Sequence, residues 1–128
     1  MRFCHGGPQV ATVDEVTKAI RQVGYRFSDE AELQEGISFA LTLAGLKHER
    51  EAVLTKRDRI DFLLPGGIGI EVKIDGSISA LTRQLFRYAE LPEVASLVVV
   101  VGKNTLGNLP HEILSKPVHV VRAVRAFA

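Results

Sequence analysis

The chain has 128 residues, of which 46% are apolar, 24% charged and 6% aromatic, and 16 Lys and Arg against 15 Asp and Glu leave a net charge of +1. This composition excludes disorder, collagen and coiled coil, and the length suits a single domain that buries about two thirds of its unfolded surface without a disulfide or structural zinc. The longest unbroken apolar run, residues 97–101, falls far short of the roughly 20 residues of a membrane span, so no membrane partner is expected. No basic segment leading into an apolar one opens the chain, and the single cysteine, Cys4, cannot form an internal disulfide, which suits a reducing, cytoplasmic setting. Cys4-His5 has no second ligand pair at zinc spacing. The balanced charge carries no global argument for a polyanionic partner, so any such argument rests on local placement.

Residues 1–10, with Gly6-Gly7-Pro8, read as an irregular lead-in. Thr12 and Glu15 stand at capping-box spacing, Val13, Val16, Ile20 and Val23 recur at helical intervals, and Gly24 supplies a stop. Ser28 or Asp29 caps a second helix with a buried stripe of Leu33, Ile37, Ala40, Leu41 and Ala44, ended by Gly45. Residues 52–55 read as a short strand after the charged run His48-Glu49-Arg50-Glu51. Two period-2 segments then flank Pro65-Gly66-Gly67, the signature of a hairpin. Its apolar face is expected to hold Ile60, Phe62 and Leu64 on one strand and Ile68, Ile70, Val72 and Ile74 on the other. A third helix over residues 79–91, a central parallel strand at 97–101, a helical turn at 110–114 and a last strand at 118–121 complete the order. The expectation is an α/β single domain with a mixed sheet and helices on its faces.

A three-residue hairpin loop pairs Leu64 with Ile68 and Phe62 with Ile70, which brings Asp61 opposite Glu71 on the other face with Cβ atoms about 5 Å apart. A two-residue loop would set Asp61 against Val72 instead. Two facing carboxylates repel unless a cation lies between them or one is protonated. Carboxylate oxygens with a carbonyl and waters suit Mg²⁺. Lys73 leaves the same face as Glu71 about 7 Å further along, where an ammonium can hold a water nucleophile or offset phosphate charge: phosphodiester hydrolysis chemistry. A Glu-x-Lys on a strand is also a common solvated pair with no function.

Asp61, a gap of nine residues and then Glu71-Val72-Lys73 at the end of an apolar strand resembles the PD-(D/E)XK nuclease superfamily. Gln84 and Tyr88 on the following helix resemble the Q-x-x-x-Y motif of its RecB-like and lambda-exonuclease-like branches, and the resemblance covers about residues 28–101. Ile60 stands where the named proline would be. The resemblance implies an α-β-β-β-α-β restriction-endonuclease-like core, here with an additional N-terminal helix. It implies Mg²⁺ or Mn²⁺ bound by Asp61, Glu71 and the Val72 carbonyl, Lys73 orienting the attacking water, Gln84 positioning Lys73 or that water, and Tyr88 supporting the site or touching phosphate. It also implies a helix acid. Glu30, Asp29, Glu32 and Glu35 compete for that place, and Glu30, at the edge of the apolar stripe, is the choice over a plain first-turn acid.

Arg83 and Arg87, four apart on the third helix, are candidates to grip backbone phosphates, although they also suit a solvated helix face. Lys56, Arg57 and Arg59 form a second basic cluster before Asp61. The expected activity is metal-dependent hydrolysis of DNA, duplex, branched or single-stranded, with endonuclease against exonuclease left open and a two-fold homodimer compatible with it. The competing readings are a catalytically dormant nucleic-acid-binding module on the same fold and an interaction domain whose acidic hairpin is incidental.

Overall fold

The structure, a computed structural model, describes residues 10–102, 106 and 108–126. Cys4 and His5 lie outside them. Helices α1 (Val13–Arg21), α2 (Glu30–Leu43) and α3 (Ile78–Ala89) accompany strands β1 (Glu49–Val53), β2 (Arg59–Leu64), β3 (Ile68–Lys73), β4 (Ser96–Val101), β5 (Glu112–Ile113) and β6 (Lys116–Arg122). The strands form one mixed α/β sheet in the order β1-β2-β3-β4-β6-β5.

Local chemistry sets the helix ends. The Glu15 amide donates to Thr12 Oγ1 at 3.1 Å and the Thr12 amide to Glu15 Oε1 at 3.0 Å, the reciprocal capping box read from the sequence. Asp29 caps α2, accepting from the Glu32 amide at 2.8 Å, and Ser77 caps α3, accepting from Ala80 at 3.1 Å. Helix α1 stops at Arg21 rather than Val23, and α3 spans Ile78–Ala89 rather than 79–91.

The sheet is covered on both faces. Phe62, Leu64, Ile70 and Val72 pack with Val16 and Ile20 of α1 and Leu33, Ile37 and Leu41 of α2. Leu63, Leu97, Val99 and Val101 pack with Leu81, Leu85 and Tyr88 of α3. Strand β4 lies parallel to both β3 and β6, and all six of its residues are buried, as its unbroken apolar run predicts.

Three expectations are corrected. Strand β1 begins at Glu49, so the charged run is itself the strand. It is a sheet edge, where charged side chains discourage pairing with other chains. Residues 110–114 do not form a helical turn: Glu112–Ile113 is β5, joined to β6 through Leu114 and Ser115 at φ 50° and 66°. Such a turn favours Asn-Gly, so Leu-Ser gave no signal. Ile60 does not share a face with Phe62. It packs with Ala52 and Tyr88 on the α3 side, whereas Phe62 faces α2. The alternation breaks where Glu51, at φ 50°, lies between the pairs Arg50↔Phe62 and Ala52↔Ile60. Gly69, which has no side chain, leaves the space Ile60 occupies; a Cβ there would stand 2.5 Å from Ile60 Cδ1.

The hairpin turn is locked to the strand beside it. Gly67 O accepts from the Ala95 amide at 2.8 Å, and at φ +79° an added Cβ would stand 2.8 Å from the Glu93 carbonyl. Gly67→Ala therefore combines left-handed strain with backbone overlap and is expected to cost about 2–4 kcal/mol. Gly45→Ala, at φ +75° with nothing within 4 Å, is expected to cost only about 1–2 kcal/mol. Urea unfolding of the two variants measures the difference; equal losses would contradict the docking of this turn.

Candidate functional site

The pairs Leu64↔Ile68, Leu63↔Gly69 and Phe62↔Ile70 are those of the three-residue loop, and the same register continued brings Asp61 level with Glu71. Beyond Ile70, side chains replace the backbone partner. The Val72 amide donates to Asp61 Oδ2 at 2.8 Å, and the Ile74 amide donates to Glu30 Oε2 at 3.1 Å. These two bonds fasten one carboxylate from β2 and one from α2 to the end of β3. The Val72 carbonyl leaves the strand on the same side as its own amide and so faces Asp61.

Glu71 lies under α3, is only 3% exposed, and is close enough to Asp61 for the two carboxyls to act on each other. Its Oε1 accepts from the Tyr88 hydroxyl at 3.3 Å; that hydroxyl also approaches the Arg59 carbonyl at 2.9 Å and accepts from Gln84 Nε2 at 3.0 Å. Lys73, two residues on, lines a cleft of about 340 Å³ with Asp75, Ser77, Arg83, Gln84 and Arg87. A separate cleft of about 490 Å³ between α1 and β6, lined by Arg21, His111 and His119, contains none of these residues.

Burial, with the Asp61 charge adding to it, pushes the Glu71 carboxyl up to about 8. Burial also pushes Asp61 up to about 6; the hydrogen bond from Val72 opposes this, the charges of Glu51 and Glu30 add to it, and Lys73 pulls it back. Four acids from four elements thus crowd one strand end. Among the described residues no group of three His, Cys, Asp or Glu side chains converges into a ready-made metal cage.

Each expected residue has a definite place. Of the α2 acids, Glu30 is the one that reaches β3: Asp29 is the cap, Glu32 accepts from Ser28 at 2.7 Å, and Glu35 pairs with Arg50 at 2.8 Å. Gln84 engages Tyr88, not Lys73. Tyr88 is 1% exposed, which removes it from the substrate contacts and leaves it as a support for Glu71. Arg83 is exposed along the cleft. Arg87 Nε is committed to Asp58 Oδ1 at 2.9 Å, and this ion pair holds Asp58 below the usual carboxylate range. Arg57 is exposed in the turn before β2, and Arg59 lies 3.6 Å from Glu51. Glu51 was missed by sequence reasoning, because an ordinary alternating β1 gives no sign of a left-handed residue beside Asp61.

Comparison of the chain with family models, with curated proteins and with solved structures yields no match.

The folded pKa of Glu71 lies above its unfolded value near 4.5, so the folded state holds the extra proton. This contribution to stability is complete below that unfolded value and is lost as pH rises through about 8. Glu71→Gln is expected to match the wild type near pH 5 and to exceed it by about 1–3 kcal/mol near pH 9. Chemical denaturation across that range in chelator measures it, and parallel pH profiles would refute the assignment.

Proposed function

We propose that the chain is a metal-dependent nuclease that hydrolyses phosphodiester bonds of DNA on a restriction-endonuclease-like core. The observation that carries this reading is the meeting of Asp61 and Glu71 at the end of β3, with Lys73 beside them and Glu30 reaching the next amide. The order α2-β1-β2-β3-α3-β4 supports the same reading.

The donor chemistry fits a hard divalent cation. Mg²⁺ is commonly held by one or two carboxylates with the remaining positions taken by water, so two acids and a carbonyl suffice without a larger protein cage. Asp61, Glu71 and the Val72 carbonyl would hold the ion, with Glu30 adjacent. When bound it supplies Lewis-acid polarisation of the phosphate and a lowered pKa for water. The burial that raises both carboxyls favours an occupant that neutralises them. The Lys73 ammonium, on the cleft side of Glu71, orients the attacking water and offsets charge on the reacting phosphate. Tyr88, fixed by Gln84 and the Arg59 carbonyl, sets the Glu71 rotamer. Arg83 neutralises a neighbouring phosphate from the opposite wall of the cleft.

Mg²⁺ or Mn²⁺ is expected to raise the melting temperature, and saturation at one hundred times the dissociation constant adds about 2.7 kcal/mol. Glu71→Gln is expected to abolish that gain. Lys73→Ala, at a half-buried position, is expected to keep the fold and lower the rate of DNA cleavage by about 10²–10⁴-fold. Incubation of both proteins with labelled DNA and RNA substrates, in metal or chelator, reads this out. Binding by the wild type with no cleavage in either metal would favour the dormant module.

A further inference from the structure

We infer that the DNA handled at this site is a single strand, with one base stacked on Phe86 and the backbone passing over Arg83 into the cleft that holds Lys73; this deepens the nuclease reading and rests on it. Phe86 lies on α3 and leaves 44% of its surface in water, although the rest of the aromatic and aliphatic surface of that helix is largely buried. Helix geometry places Arg83, three residues earlier, and Glu90, four residues later, beside it. Arg83 also lines the cleft with Lys73, Gln84 and one acid, Asp75, so the ring on the outer face of α3 is followed by the guanidinium and then, within the cleft, by the ammonium. Glu90 repels phosphate on the far side of the ring and leaves the Arg83 side as the open course.

Two contacts brace this course. The Arg87–Asp58 pair ties α3 to the β1–β2 turn, and Thr55 Oγ1 donates to the other Asp58 oxygen at 3.0 Å. An aromatic platform beside a basic track is the arrangement that binds single strands, because every base offers a π-face once it is out of a helix. A duplex keeps its bases stacked internally and offers this ring nothing comparable; it would engage the arginines alone.

The test is fluorescence anisotropy with a labelled DNA oligonucleotide, the same oligonucleotide in duplex form and its RNA counterpart, all in chelator so that cleavage does not intervene. Phe86→Ala is expected to weaken single-stranded DNA binding by about 5- to 150-fold and to change duplex binding by less than about twofold. Phe86→Trp is expected to restore it. Arg83→Ala is expected to reduce the slope of log affinity against log salt by about 0.7 for the single strand. Unchanged single-strand affinity in Phe86→Ala, an equal loss for duplex, or binding confined to RNA overturns the proposal. The nuclease reading is scored separately by the cleavage experiment, so Phe86-dependent binding without wild-type cleavage would sink that reading alone. Phe86 is exposed, and an unaltered melting temperature verifies that its variants fold.

Discussion

The departure of β2 from β3 is the constraint on which the acidic site depends. Past Ile70 the amides of Val72 and Ile74 still need acceptors, because an unpaired amide away from water costs about as much as a lost hydrogen bond. Asp61 and Glu30 meet that need with side chains instead of backbone. Acids that would be free to turn into solvent are thereby fixed against a strand edge, one from β2 and one from α2. The diversion has its own cause: Glu51 takes a left-handed conformation, and Ile60 turns to the α3 side into space left by Gly69. A backbone irregularity in an edge strand is thus transmitted to the interior as the placement of a carboxylate.

The two helical layers complete the arrangement from opposite faces. Glu30 approaches from the α2 side, while Gln84 and Tyr88 hold Glu71 from the α3 side. Both act at the carboxyl end of β3, whose last residue, Lys73, pairs with Val101 at the end of the parallel strand β4. The carboxyl ends of neighbouring parallel strands are where open α/β sheets place ligands, since the chains diverge there into connections that leave a crevice. Position in the sheet and the burial of two acid groups therefore favour the same end of the molecule.

Much of this was legible in the sequence, for identifiable reasons. Pro65-Gly66-Gly67 fixed the loop length, and two matched apolar strands left one register, so the approach of Asp61 to Glu71 followed from counting. Once the resemblance asked for a helix acid, the place of Glu30 at the edge of the Leu33, Ile37, Ala40 and Ala44 stripe singled it out from four. Features that depend on non-glycine residues at positive φ were hidden: Glu51 beside Asp61, and Leu114 and Ser115 in the β5–β6 turn. Contacts distant in sequence were equally hidden. Arg87 reads as a free cation on a helical wheel because its partner, Asp58, lies in a turn 29 residues away. The helical position of Tyr88 beside Leu81 and Leu85 gives its burial, but its contact with the Arg59 carbonyl is a property of the assembled sheet.

The near-neutral total charge conceals a spatial separation. Glu30, Glu51, Asp61 and Glu71 gather at the end of β3, whereas Lys56 and Arg57 occupy the turn that the Asp58–Arg87 pair fastens to α3, with Arg83 along that helix. A polyanion is attracted by the second group and repelled by the first. At separations of a few ångströms inside a partly buried site neither effect is screened as it would be in bulk water. On the nuclease reading, the basic rim can bind a strand before the acids are neutralised, but the reacting phosphate can enter only after they are. The Lys73 charge lowers both carboxyl pKa values, and Lys73 also lines the cleft that, on the same reading, admits the phosphate. Removing that charge therefore raises the barrier to ionising the acids and removes the attraction for phosphate at the same time, whereas removing Arg83 affects only the attraction.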